Sequence, residues 1–317
     1  MGESNLREQF DAMRERVNGY LPDDVRVLDI EKVTRAFCAR TNRDRVRYQY
    51  MIPSYMLCSR EEIREAFSPS TSPTPPRGAD DADADADVLS DERIARARDL
   101  LVRTRVTPKR MEDLRSGLGL FEGTHNFHNY TRRLGSDDAS SNRYVLSFVA
   151  LDPIVVPGSG GADCHPAQWI PLRVVGQSFL LNQIRKMVSA AVDLARGAVS
   201  RETIERSLTK DCRMKVNVAP ANGLFLDRSY FELYNRHKVK NAPKRGDKGE
   251  HNTLDWFDVE GEELPSAVRR IEEFKNEKII PHIVREEAKE GNFMQYIYSH
   301  DANFHEIYSL MGSESKG

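Results

Sequence analysis

Apolar residues recur at helical spacing in the first twenty positions. Leu6, Phe10, Met13 and Val17 fall at i, i+4, i+7 and i+11, one stripe of an amphipathic helix. Leu21-Pro22-Asp23-Asp24 ends that helix with turn chemistry. The period then shortens to two. Val25, Val27 and either Leu28 or Ile30 stand among Arg26, Asp29 and Glu31, and the spacing predicts a strand over 25–33. The aromatic-rich stretch Arg47–Leu57 predicts a second strand, with Pro53 at a bend or an edge. Residues 91–117 read as helix in two pieces, broken near Pro108. Gly123–Thr131 reads as a short strand or irregular segment, and Tyr144–Leu151 and Trp169–Phe179 as strands. Leu180–Arg196 carries the strongest helical pattern: Leu181, Ile184, Val188, Ala191 and Ala195 share a side, and Gly197 takes the position after the helix end. A short helix over 200–208, a strand over 223–231 and a helical region over 269–300 complete the pattern. Strands and helices alternate without βαβ regularity, which predicts an α+β fold: an antiparallel sheet with helices on one face.

Charge changes this picture at one place. The 317 residues hold 47 basic and 49 acidic side chains, a formal net of −2. Residues 69–92 carry a local net of −6, so the remainder of the chain stands at +4. That segment is Pro-, Ser-, Ala- and Asp-rich, has no face to bury, and is expected to be a disordered insertion. The most basic stretch holds Arg236, Lys238, Lys240, Lys244 and Arg245, candidates for contact with phosphates. No apolar run approaches the roughly 20 residues of a membrane-spanning helix. The four cysteines are widely spaced with no C-x-x-C pair, which argues against a disulfide framework and a cysteine-based zinc site.

Candidate chemistry is sparse. Phosphate-loop, dinucleotide, zinc-protease and nucleophile-elbow motifs are absent from the sequence. His125 and His128 are spaced i, i+3, but the sequence offers no nearby partners to complete a metal site, so no metal is expected. Two arrangements stand out. Strand alternation places Tyr48 and Tyr50 on one face and Arg47 and Gln49 on the other. A tyrosine facing a cleft can stack on a base and exchange a proton; a tyrosine facing the core only packs. Arg185 lies beside the buried stripe of the 180–196 helix, where it either pairs with an anion or snorkels to solvent.

The succession LPDDVRVLDIEKV, RYQYMIPSY, FEGTHNFHNYT, RYVLSF, VVGQSFLLNQIRKMV, VNVAPANGLFLDRSYFELYN and EEFKNEKIIP resembles the TruA-type family of tRNA pseudouridine synthases, most of all its eukaryotic branch. The resemblance runs in order from about residue 10 to about residue 300. It implies the pseudouridine synthase fold, two α+β halves around a cleft. It also implies an isomerase without a cofactor that converts uridine to pseudouridine in tRNA, and possibly other RNAs, after flipping the base out of its stack. An aspartate serves the family as nucleophile, with a tyrosine that stacks on the base and an arginine that pairs with the aspartate. By position these supporting residues are Tyr48 and Arg185. His125 and Phe127 would help wall the base pocket, and Gly223 and Leu224 fall in the family's late motif beside it.

One departure matters. The family's nucleophile sits in an R-T-D-x-G-V-type loop ahead of the segment that here begins at Leu21, and residues 1–20 contain no such loop. Arg40-Thr41-Asn42 mimics it in the wrong place and with an amide where a carboxylate is needed. The expectation is that the amino-terminal half is incomplete and these 317 residues are inactive alone. The parts are then 1–66, a remnant of the catalytic half; 67–92, the insertion; 93–235, a helical linker and the carboxy-terminal α+β half; and 236–317, a basic loop and helical extension. Two rivals are a nucleophile-less RNA-binding pseudoenzyme within an assembly, and a split enzyme completed by another chain. The family expectation for location is nuclear or cytoplasmic.

Overall fold

The computed structural model describes residues 3–68, 91–157, 166–241 and 266–308. The acidic stretch through Ser90, and Lys244 and Arg245 of the basic tract, lie outside these residues.

Six strands form one antiparallel sheet: β1 (Arg45–Pro53), β2 (Gly123–Asn126), β3 (Asn142–Ala150), β4 (Ile154–Val156), β5 (Ala167–Gly176) and β6 (Leu224–Tyr230). The order is β2-β3-β5-β1-β6, with β4 continuing beside β5. The aromatic- and β-branched-rich β1 is thus interior, with Tyr48 opposite Val174 of β5 and Leu226 of β6. Pro53 ends the strand where its missing N–H costs no ladder bond, and the chain turns into a 3-10 segment, Ser54–Leu57.

Ten helices accompany the sheet among the described residues: α1 (Glu3–Asn18), α2 (Arg60–Phe67), α3 (Asp91–Val102), α4 (Pro108–Gly119), α5 (Gln183–Ala195), α6 (Arg201–Ser207), α7 (Glu232–Asn241), α8 (Ser266–Phe274), α9 (Ile280–Glu290) and α10 (Asn292–Ala302). The break at Pro108 falls as the sequence predicts, with Thr107 capping α4 and proline in its first turn. α4 packs on α5 and on β3. Their apolar faces join Tyr50, Ile52, Phe121, Phe148, Trp169 and Leu172 in one core. Ile283, Phe293 and Ile297 of α9 and α10 belong to that same core, so the carboxy-terminal helices are integral to the fold.

Three expectations need correction. The stretch 25–33 forms no regular element and pairs with no strand among the described residues. Side chains satisfy its backbone instead: the Asn18 amide bonds both polar groups of Val27, and Arg270 Nε donates to the Leu28 carbonyl at 2.7 Å. Leu181 is not part of the buried stripe; it is 67% exposed, because α5 starts two residues later after Asn182 turns left-handed at φ 65°. Phe67, set at the edge of the insertion, closes α2 and is buried. Along α1, Phe10 is half-buried while Met13 and Val17 remain exposed.

The junction between α9 and α10 rests on one carboxylate. Glu287 accepts from the Tyr55 hydroxyl at 2.6 Å and from the Phe293 backbone N–H at 2.9 Å, capping the start of α10 after the left-handed Gly291. Burial pushes the Glu287 carboxyl up even though these donors hold it down. Glu287→Ala leaves those buried donors without an acceptor and is expected to cost about 3 kcal/mol. Glu287→Gln, which keeps an acceptor, should cost less. Urea midpoints of the two variants check the ordering.

Candidate active site

The site is assembled on the β1–β6 side of the sheet. Tyr48 is half-buried, and its ring meets the Phe179 ring edge-on, with centroids 5.8 Å apart. Gly176 makes that contact possible. A Cβ there would stand 2.9 Å from the Phe179 ring and 3.0 Å from the Tyr144 carbonyl oxygen, so only glycine lets the chain fold Phe179 back over the strand end. The register against β6 shifts between Arg47 and Tyr48, a bulge that leaves Asp227 as the extra residue. The bulge is held by charge. Arg47 Nε donates to Asp227 at 2.5 Å, Lys275 Nζ lies 3.2 Å from Asp227, and Glu272 takes Arg228 at 2.9 Å and also pairs with Lys275. Lys275 reaches this buried cluster from a π-helical turn, Lys275–Ile279, between α8 and α9. Arg47 is therefore committed to this ion cluster through Nε, with Nη2 3.6 Å from Glu272, while its neighbour Tyr48 is half-buried.

Arg185 projects from the first turn of α5. Its Nε donates to the Ala219 carbonyl at 2.6 Å, and Asn182 Oδ1 lies 3.4 Å from Nη1. Among the described residues no carboxylate pairs with it. Burial draws its pKa below the usual value, opposed by the Tyr50 and Tyr296 phenols, and the nearby Arg132 charge lowers it further. The Ala219–Gly223 loop ties the parts together. Ala219 holds Arg185, and Pro220 accepts the Tyr50 hydroxyl at 2.6 Å. The Gly223 carbonyl accepts the Met51 N–H at 2.9 Å. The same loop carries Asn222, whose buried side-chain amide has no hydrogen-bond partner. Tyr50, two positions beyond Tyr48 on β1, thus reaches the loop that holds Arg185, and no hydrogen bond joins Tyr48 to Arg185 among the described residues.

The other sequence candidates take different places. Gly223 and Leu224 stand where β6 begins, and Gly223 is wedged so tightly that a Cβ would collide with the Met51 carbonyl. Phe127 is fully buried against Tyr130 and presents no surface to a ligand. His125 is half-buried, edge-on to Phe127, with Nε2 2.8 Å from the Glu122 carbonyl. It lines a 330 Å³ hollow with Leu120, Arg201 and Glu205, between α4, β2 and α6. His128 bonds Asn126 and the Cys212 carbonyl. Arg236 is exposed on α7 and paired with Glu232; Lys238 and Lys240 share that helix. Phe179 and Lys186 escaped sequence reasoning. The Gly-x-x-Phe spacing was a usable signal for the first; Lys186 sits in an apolar helix and gave none.

Residues 119–232 match the model of a family described as tRNA pseudouridine synthase. Across 91% of its length the chain is 30% identical to the human protein named Pseudouridylate synthase 1 homolog, covering 54% of that relative. Against tRNA pseudouridine synthase 1 of Schizosaccharomyces pombe the identity is 31% over 65% of the chain and 34% of the relative. Against the Candida glabrata protein of that name it is 26% over 95% of the chain and 58% of the relative. The chain is similar to tRNA pseudouridine synthases over most of its length, and residues 119–232 carry the family's match. It spans about half the length of the curated relatives it matches first.

Proposed function

We propose that the chain provides the tyrosine and arginine of a tRNA uridine isomerase, and that the nucleophilic carboxylate comes from residues outside these 317. The observation carrying this reading is Arg185. Its guanidinium is partly desolvated and faces no carboxylate among the described residues, while a backbone carbonyl already fixes its orientation. A desolvated cation held in this way is prepared for an anion, and an aspartate entering beside it would be kept ionised. The uridine would flip out of its stack onto the open part of the Tyr48 ring, backed by Phe179. In the isomerisation the N1–C1′ bond breaks, the base turns, the C5–C1′ bond forms, the C5 proton leaves, and N1 takes up a proton. Tyr48 stacks on the base and assists that proton's departure. Neither a cofactor nor a metal enters this reading. The expected compartment is nucleus or cytoplasm, and no helix among the described residues is long and apolar enough to cross a membrane.

Peptide mass spectrometry of the endogenous protein tests the origin of the carboxylate. Peptides preceding Met1 that carry an Arg-Thr-Asp loop support the reading. A native amino terminus at Met1 or Gly2 would favour the rival, a pseudoenzyme that binds RNA without converting it, or an enzyme split between two chains.

A further inference from the structure

A second feature lies beside Arg185. The turn Thr131-Arg132-Arg133 is bound to the start of α5: Thr131 Oγ1 donates to the Leu181 carbonyl at 3.0 Å, and the buried Lys186 Nζ donates to the Asn129 and Thr131 carbonyls at 2.8 and 3.2 Å. Arg132 is exposed and makes no hydrogen bond or ion pair among the described residues. Its charge is near enough to depress the pKa of both Arg185 and Lys186; burial is the larger cause for each, and it brings Lys186 down to about 8. Arg132 therefore follows directly on the carbonyl that Lys186 holds, Lys186 is Arg185's neighbour on α5, and no carboxylate among the described residues pairs with any of the three. The strained backbone is found here too. Three non-glycine residues among those described have left-handed φ, and two of them, Arg133 and Asn182, bracket this spot. Such a conformation is unfavourable for a residue with a Cβ and persists where the surroundings enforce it. Like charges held together by strained, tethered backbone are unfavourable in the free protein and become favourable when an anion arrives.

We propose that Arg132, one residue beyond the Thr131 carbonyl that Lys186 holds, binds one backbone phosphate of the RNA substrate. This rests on the RNA-modifying reading above and adds a contact that lies apart from the basic tract of α7. The phosphate charge is shared between Arg132 and the field of Lys186, whose own N–H groups stay on the two backbone carbonyls. The contact would fix the register of the strand relative to Tyr48 without reading a base.

Anisotropy titrations of fluorescent tRNA with the 317-residue chain, at several salt concentrations, test this. Each phosphate contact contributes about 0.9 to the slope of log affinity against log salt. Arg132→Ala should lower the slope by about 1 and weaken binding several-fold at low salt, with an unchanged melting temperature. Arg201→Ala, an exposed arginine paired with Glu205 on α6, should change neither. Wild-type slope and affinity in Arg132→Ala overturn the phosphate site and leave the RNA reading standing. Absence of salt-dependent tRNA binding by the unaltered chain overturns both.

Discussion

Arg185→Ala is expected to lower pseudouridine formation by roughly 10³-fold in the enzyme carrying the nucleophile, the loss typical when a preorganised charge at the reacting centre is removed. The fold should survive. Arg185 makes one good hydrogen bond, to Ala219, and has no buried ion partner among the described residues to strand. The cost is then about 1 kcal/mol, a shift of about 2–4 °C in melting temperature for a domain of this size. Arg185→Lys should recover little activity, because an ammonium cannot hold the Ala219 carbonyl through Nε while presenting a planar pair of donors to a carboxylate. Tyr48→Phe is the companion test. It keeps the ring against Phe179 and removes only the hydroxyl, so substrate binding should persist while turnover falls by about 10²–10⁴-fold. Single-turnover rates at saturating enzyme separate the two effects. An active Arg185→Ala protein would remove Arg185 from its assigned role.

Gly223→Ala is expected to be the most destabilising single methyl in the described structure. The new Cβ would run into the Met51 carbonyl oxygen and come within 2.8 Å of the Phe293 ring. Both obstacles are immobile. Met51 lies in the central strand, with its N–H bonded back to Gly223, and Phe293 is fully buried. Overpacking usually costs 1–3 kcal/mol, and with backbone as the obstacle the expected value is about 3 kcal/mol or more. At 2–4 °C per kcal/mol the melting temperature would fall by roughly 6–12 °C. Because the Gly223 loop also carries Ala219 and Pro220, activity should fall further than stability explains. Calorimetry checks the first effect, and a melting temperature within 2 °C of wild type would contradict it.

The sequence shows where the strands and helices of the main body lie, since burial of one face imposes a period of two or 3.6. It misleads at 25–33, where alternation suggests a strand but Asn18 and Arg270, far apart in sequence, satisfy the backbone in place of a neighbouring strand. It also passes over α2, although Ser59 and Glu62 form a capping box that could have revealed it. At the candidate site, Tyr48 and Arg185 are proposed from residue type and resemblance. Phe127 shows the limit of that reading: its motif is informative, yet the ring is buried against Tyr130. The Asp227 cluster was illegible because it joins β1, β6 and the turn after α8, and a bulge shifts the register there. Arg132 was likewise hidden, since its significance depends on Lys186, 54 positions later by the numbering, whose side chain turns back to the 129–131 carbonyls.

The most direct test of the central claim is release of tritium from tRNA labelled at uridine C5, because forming the C5–C1′ bond expels that hydrogen. The account predicts release by the native, longer protein without added metal or nucleotide, and none by the 317-residue chain alone. Comparable release by the 317-residue chain would place a nucleophile within it and contradict the account. Failure of the native protein to release tritium from any tRNA would contradict the assignment of isomerase activity itself.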